Sequence, residues 1–204
     1  MPDFAGRAET PHSPKTPLRN QLLAQRKSLT PFARQAAATA VHTTLLSLVR
    51  RIRPSTIAAY VPVGGEPGGS DLPSVLAATA QVLLPVLLPD GDLDWAMYRD
   101  PLVAGPRGLL QPSGPRLGVD AVRNATLVVV PALAVDRSGM RLGRGGGSYD
   151  RVLARLPAGA MTVALLNDGE LLDAVPAEAH DRPVRAVITP SGGLAFSPGA
   201  EWTK

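Results

Sequence analysis

The chain has 204 residues, 45% hydrophobic and 19% charged, enough for one substantial core and, by default, a single domain. It has no cysteine, which excludes disulfides, thiolate nucleophiles and thiolate metal sites, and no apolar run approaches the roughly 18 residues that span a bilayer. The net charge of +4 is scattered and aromatics are only 4%, so there is no stacking platform with interleaved cations, and nucleic acid and membrane are not expected as partners.

Residues 1–14 mix Pro, Ala, Gly and charges without the apolar segment of a secretory signal, and read as a disordered leader ahead of a single cytoplasmic domain over 15–204. Thr16-Pro17 and Thr30-Pro31 both look like an N-cap followed by proline at the first helical position, which predicts helices over 17–27 and from 31 to about 50, a helical hairpin. A strand over 56–61, a Gly/Pro loop over 63–70 and a helix over 72–80, capped by Ser70 or Asp71, come next. The strand at 82–88 is followed by the turn signal Asp90-Gly91 and by residues 93–98, which alternate with period two, so a hairpin is expected. Trp95 and Tyr98, three apart, suit one core and one rim position. Residues 101–115 read as a Pro/Gly-rich loop.

Residues 127–135 form a continuous apolar run that reads as one buried strand, and a helix is expected from Tyr149 to Leu156, followed by short strands at 162–166 and 184–189. Strands alternating with helices predict an α/β fold, an open three-layer sandwich with a mainly parallel sheet and helices on both faces. Ligands then bind beyond the carboxyl ends of the strands. Gly64-Gly65-Glu66 and a second glycine-rich turn both follow strands and should open on that same edge.

The second turn is the most informative segment: Arg141-Leu142-Gly143-Arg144-Gly145-Gly146-Gly147-Ser148-Tyr149-Asp150-Arg151. Free amides at a helix N-terminus bind anions, glycines let a phosphate approach the main chain, and Arg141 and Arg144 add charge-assisted hydrogen bonds. The competing reading is a plain Gly-rich turn, since the segment matches neither GxxxxGK[ST] nor GxGxxG.

Five motifs in order resemble the 5-formyltetrahydrofolate cyclo-ligase (methenyltetrahydrofolate synthetase) family. They are Lys15-x-x-Leu-Arg19 leading to Arg26; Ala59-Tyr-Val-Pro-Val-Gly-Gly-Glu66; Leu84-Pro85 followed by 93–98; the glycine turn after Pro131-Ala-Leu-Ala-Val-Asp136; and Pro176-x-Glu-x-His-Asp181. The likeness covers about Lys15 to Pro190. It implies the ATP- and Mg²⁺-dependent conversion of 5-formyltetrahydrofolate to 5,10-methenyltetrahydrofolate with release of ADP and phosphate, through a phosphorylated formyl (iminium phosphate) intermediate. The partners so implied are small-molecule substrates, ATP and a possibly polyglutamylated folate, acted on by a monomer.

By the same resemblance, Lys15, Arg19 and the segment Arg141, Leu142, Gly143, Arg144, Gly145, Gly146, Gly147, Ser148 and Tyr149 bind ATP. Val61, Glu66 and Arg144 to Ser148 contact the folate, Arg144 and Tyr149 are catalytic, and Asp150 and Asp181 hold Mg²⁺. On residue type alone, Lys15 equally suits a solvated helix start, Asp150 the first turn of its helix, Asp181 a turn before Pro183, and Glu66 an exposed loop acid. His180 reads as a turn residue, because His12 and His42 are the only other histidines and no cluster forms. Around Asn167 to Glu170 the glutamine typical of the family is not evident, and two further departures stand out: Gly147-Ser148-Tyr149-Asp150 replaces the commoner GYYD, and Leu110-Gln111-Pro112 stands where a glutamate usually precedes the proline. They are the support for an alternative, a non-catalytic folate- or nucleotide-binding paralogue.

Overall fold

The computed structural model of the chain describes residues 14–197, so the leader expected at 1–14 lies, Pro14 apart, outside the described residues. Two helices come first, α1 (Lys15–Ser28) and α2 (Pro31–Ile52). Thr30 caps α2 as its sequence predicts: its hydroxyl accepts from the Ala33 amide at 3.1 Å and Pro31 follows, a cap generally worth ~1 kcal/mol. α1 differs from expectation. The helix already begins at Lys15, Pro14 holds the N-cap position, and Thr16-Pro17 fall in the first turn, where a missing amide is no loss because first-turn amides have no intrahelical acceptor.

The chain continues through β1 (Thr56–Ala58), α3 (Leu72–Ala77), β2 (Gln81–Leu87), β3 (Leu93–Met97), β4 (Val103–Ala104), β5 (Leu110–Gln111), β6 (Leu127–Pro131), β7 (Ala134–Asp136), β8 (Arg141–Leu142), α4 (Ser148–Arg155), β9 (Met161–Leu165), β10 (Leu171–Leu172), β11 (Ala186–Thr189) and β12 (Gly193–Phe196). Seven strands form the central sheet in the order β12-β11-β9-β6-β1-β2-β3. The five inner strands run parallel, and β3 and β12 close the edges antiparallel.

Alternate residues of the inner strands feed two cores. Ile57, Val129 and Val163 pack under Val41 and Leu45 of α2 and Leu72 and Leu76 of α3. Ala58, Val128 and Ala164 face the other way, onto Val152 of α4 and Val122 of a 3₁₀ turn. Both faces are therefore covered, which is why these strands read as unbroken apolar runs. Trp95 is wholly buried and Tyr98 half-buried, the core and rim positions their spacing suggests.

The run at 127–135 is not one strand. β6 stops at Pro131, which has no amide to continue the ladder, and the chain leaves the central sheet at Ala132-Leu133. β7 instead pairs with β8 and β10 in a small second sheet. Leu22 of α1 packs on that sheet with Leu133, Ala134, Leu142 and Val175, so α1 covers the small sheet while α2 covers the large one. α3 ends at Ala77 rather than 80, and the Asp71 side chain does not cap it; the Ser74 hydroxyl donates to the Asp71 carbonyl instead. The expected loop at 101–115 contains the β4–β5 hairpin, a pair of two-residue strands too short for its periodicity to show.

Candidate active site

One face of α1 gathers the loops beyond the small and central sheets. Lys15, Arg19, Leu22 and Arg26 recur at helical spacing and so share a stripe. The Lys15 ammonium lies 2.7 Å from Asp181 Oδ2 and 3.2 Å from Glu178 Oε1, in the turn before β11. Arg19 Nε donates to the Gly143 carbonyl at 2.8 Å, at the start of the glycine loop. Arg26, fully buried, donates from Nε and Nη2 to the two oxygens of Glu170, each at 2.7 Å, and from Nη2 to the Ala132 carbonyl at 2.6 Å. Glu170 also accepts from the Asn167 amide and side chain.

Burial opposes the charge on Lys15, but the hydrogen bonds to Asp181 and Glu178 outweigh it and hold the ammonium above its ordinary pKa. Burial likewise disfavours the Asp181 carboxylate, yet the hydrogen bonds from Lys15 and the Glu178 amide keep it below the usual carboxylate range. Both groups are therefore charged at neutral pH. His180 is exposed at this turn, within 3.7 Å of Glu178 and Asp181.

The glycine loop leads from β8 into α4. Arg141 is buried and pairs through Nη2 with Asp150 Oδ1 at 2.9 Å, while Nη1 reaches the Pro131 carbonyl at 3.4 Å. A side chain at position 143 would meet that guanidinium at 2.7 Å, so glycine permits the close approach. Leu142 is buried against α1. Residues 144–146 are exposed, and Gly145 and Gly147 take positive φ of 97° and 66°. Gly147 is the N-cap of α4 and offers no side-chain acceptor, so the first amides of the helix stay available to an anion.

The loop meets the segment after β1. Arg144 Nε lies 3.0 Å from Glu66 Oε1, and Glu66 Oε2 accepts from the Val63 amide at 3.0 Å. The two glycine-containing loops do open on one edge, as expected. Val61 is half-buried beside the core under α2, and Tyr149 packs against both cores. The Tyr149 hydroxyl is buried without a hydrogen-bond partner. Burial pushes its pKa well above the ordinary value; the Glu66 charge adds to this and Arg141 opposes it. It stays a neutral donor. Ser148 differs from its neighbours: its hydroxyl points away from the loop, to the Gly91 carbonyl of the β2–β3 turn at 2.5 Å.

Asp150 and Asp181 approach the same place from different elements. Asp150 Oδ1 accepts from the backbone amide of Arg182, the residue after Asp181, at 3.4 Å. Among the described residues no group of three or more His, Cys, Asp or Glu side chains could enclose a metal. Two carboxylates do suit Mg²⁺, which is usually held by one or two of them with waters and phosphate oxygens. The buried Arg26–Glu170 pair has no counterpart in the sequence reading: its members stand 144 residues apart and neither sits in a spacing that announces the other. No helix of the described residues is long and apolar enough to cross a membrane.

An open α/β sheet whose carboxyl-end loops converge on a helix start without a side-chain cap, with three arginines and a lysine around them, has the form of an α/β protein suited to anionic ligands. The chain matches the 5-formyltetrahydrofolate cyclo-ligase family over residues 11–190 and belongs to that family. It is 44% identical over 187 residues to the 5-formyltetrahydrofolate cyclo-ligase of Mycolicibacterium smegmatis, covering 88% of this chain and 95% of that one. The Escherichia coli K12 protein of the same name is 30% identical, over 82% of this chain and 95% of its own. Among solved structures, the 5,10-methenyltetrahydrofolate synthetase of Aquifex aeolicus superposes with a TM-score of 0.79 at 25% identity, covering 93% of this chain and 96% of that one.

Proposed function

We propose that the protein converts 5-formyltetrahydrofolate to 5,10-methenyltetrahydrofolate at the expense of ATP, acting as a cytoplasmic monomer on two small anionic substrates. In this reading the formyl oxygen attacks the γ-phosphorus of ATP and ADP leaves. N10 then adds to the carbon of the iminium phosphate and loses its proton, and the C–O bond breaks to release phosphate and the cyclic methenyl product. The protein's task is alignment and charge compensation.

The observation that supports this best is a set of three ion pairs, Lys15–Asp181, Arg141–Asp150 and Arg144–Glu66. Each couples a cation suited to phosphate with a carboxylate suited to Mg²⁺ or to the amino and ring N–H groups of a pterin. Substrate binding exchanges these partners: Lys15, Arg19, Arg141 and Arg144 turn to phosphate oxygens, and Glu66 accepts from the pterin beside the apolar wall of Val61. Leu142 and Gly143 fix the start of the loop, and Gly145, Gly146, Gly147, Ser148 and Tyr149 offer backbone amides to the nucleotide. Arg144 faces the transferring phosphoryl group and the formyl oxygen, with the Tyr149 hydroxyl as a neutral donor nearby. Mg²⁺, held by Asp150 and Asp181 together with phosphate oxygens, would supply charge neutralisation during transfer.

The test is incubation with 5-formyltetrahydrofolate, ATP and Mg²⁺ while following methenyl absorbance and ADP. The expected result is one ADP per methenyl product. Ligand binding without either product would favour the non-catalytic paralogue.

A further inference from the structure

One face of α4 is fastened to the turn between β2 and β3. Ser148, Arg151 and Arg155 lie three and seven residues apart and so share a side of the helix. The Ser148 hydroxyl donates to the Gly91 carbonyl at 2.5 Å. Arg155 donates to both oxygens of Asp92, and Arg151 Nε lies 3.7 Å from Asp92 Oδ1.

The turn that receives them is itself stiff. The Asp92 amide donates to Asp90 Oδ1 at 2.9 Å, the Leu88 amide to the Asp92 carbonyl at 2.9 Å and the Gly91 amide to the Leu88 carbonyl at 3.0 Å. Gly91 needs its positive φ of 80°, and a Cβ there would lie 3.1 Å from the Arg151 guanidinium. Beyond this turn, the glycine loop immediately ahead of Ser148 is exposed and its Arg144 side chain is half-exposed. A loop of glycines has more conformational freedom to lose than any other, so its binding geometry depends on where its ends are held.

We infer that Ser148 is a positioning residue: by anchoring the first turn of α4 to the Gly91 carbonyl, its hydroxyl holds the amides of residues 145–147 in place for a substrate phosphate. The inference rests on the proposed ATP-dependent reaction. It assigns the Ser148 side chain to the hairpin and leaves only its backbone to the substrates.

The experiment compares Ser148→Ala and Ser148→Thr with the wild type by amide hydrogen exchange over residues 143–148 without substrates, and by KM for ATP and kcat. Losing the hydrogen bond in Ser148→Ala should speed exchange in the loop and raise KM for ATP by about two- to tenfold, with kcat within about twofold. Ser148→Thr, which keeps the hydroxyl, should restore both. Wild-type exchange and KM in Ser148→Ala, or a KM defect that Ser148→Thr leaves unrepaired, would overturn the inference. A wild type that forms no methenyl product sinks the proposed reaction instead, while the exchange rates still report on the anchor.

Discussion

Lys15 and Asp181 stand 166 residues apart in the chain, yet the ammonium rests 2.7 Å from the carboxylate with both side chains almost fully buried. The contact ties the start of the first helix to the turn before β11. It also joins a proposed phosphate ligand to a proposed metal ligand, so in this pair structural and catalytic demands fall on the same two charges.

That coupling gives a pH-dependent stability. Asp181 is held below its ordinary pKa, so its contribution is full above the unfolded carboxylate value and is lost as pH falls through the lowered folded one. Lys15 is held above its ordinary pKa, so its contribution is full below the unfolded lysine value and is lost as pH rises through the raised folded one. Asp181→Asn should therefore destabilise by about 1.5–3 kcal/mol between those limits. The gap should close in acid, where wild type and variant converge. Thermal midpoints of both proteins across pH check this; a gap unchanged down to strong acid would refute the ionic account.

Arg144→Ala separates function from stability. Its side chain is 52% exposed, so the ion pair with Glu66 adds little to folding. A lost charge-assisted contact to a transferring phosphoryl group costs ~1.5–3 kcal/mol or more in a dry site, so kcat/KM should fall roughly ten- to a thousandfold. The thermal midpoint should hardly move. Wild-type kinetics would remove the glycine loop from the mechanism.

Local features of the fold were legible because local chemistry writes them: Thr30-Pro31 announces α2, unbroken apolar runs announce the buried inner strands, and period-two alternation announces the edge strand β3. The break after Pro131 was not, because a strand that changes sheets keeps the same apolar composition on both sides of the change. The glycine loop and its arginines could be read from residue type. Their partners could not, since Arg141–Asp150 is visible only once α4 turns Asp150 back toward β8, and Ser148 gives no sequence sign that its hydroxyl points to Gly91.

The pairing of Arg26, named in the first motif, with Glu170 was equally hidden, and the two carry the sharpest stability prediction. Both are buried, and Glu170 is saturated by Arg26 and Asn167. Breaking a buried pair from one side strands a charge at a cost of ~3–5 kcal/mol. Glu170→Gln should lower the thermal midpoint by about 2–4 °C for each kcal/mol lost. Replacing both, Arg26→Met with Glu170→Leu, should cost less than either change alone, because no charge is then left unpaired. Denaturant unfolding of the double variant beside Arg26→Met and Glu170→Leu measures the order; a double variant weaker than both singles would contradict it.

Asp150 sets the metal reading against a structural one most directly. Its carboxylate pairs with buried Arg141 and accepts from the Arg182 amide, and it sits in the first turn of α4, where negative charge favours the helix dipole. Asp150→Asn keeps the size and much of the hydrogen bonding but removes the charge. If the residue helps to hold Mg²⁺, the Mg²⁺ concentration for half-maximal rate should rise, and excess Mg²⁺ should recover part of the lost activity. If it only steadies Arg141 and the helix start, the thermal midpoint should fall while the activation curve stays where it was. Activation curves for wild type, Asp150→Asn and Asp181→Asn, recorded beside their thermal midpoints, distinguish the two. The expected outcome is a shifted curve in both variants, and an unshifted curve in Asp150→Asn would leave Asp181 as the one protein carboxylate on the metal.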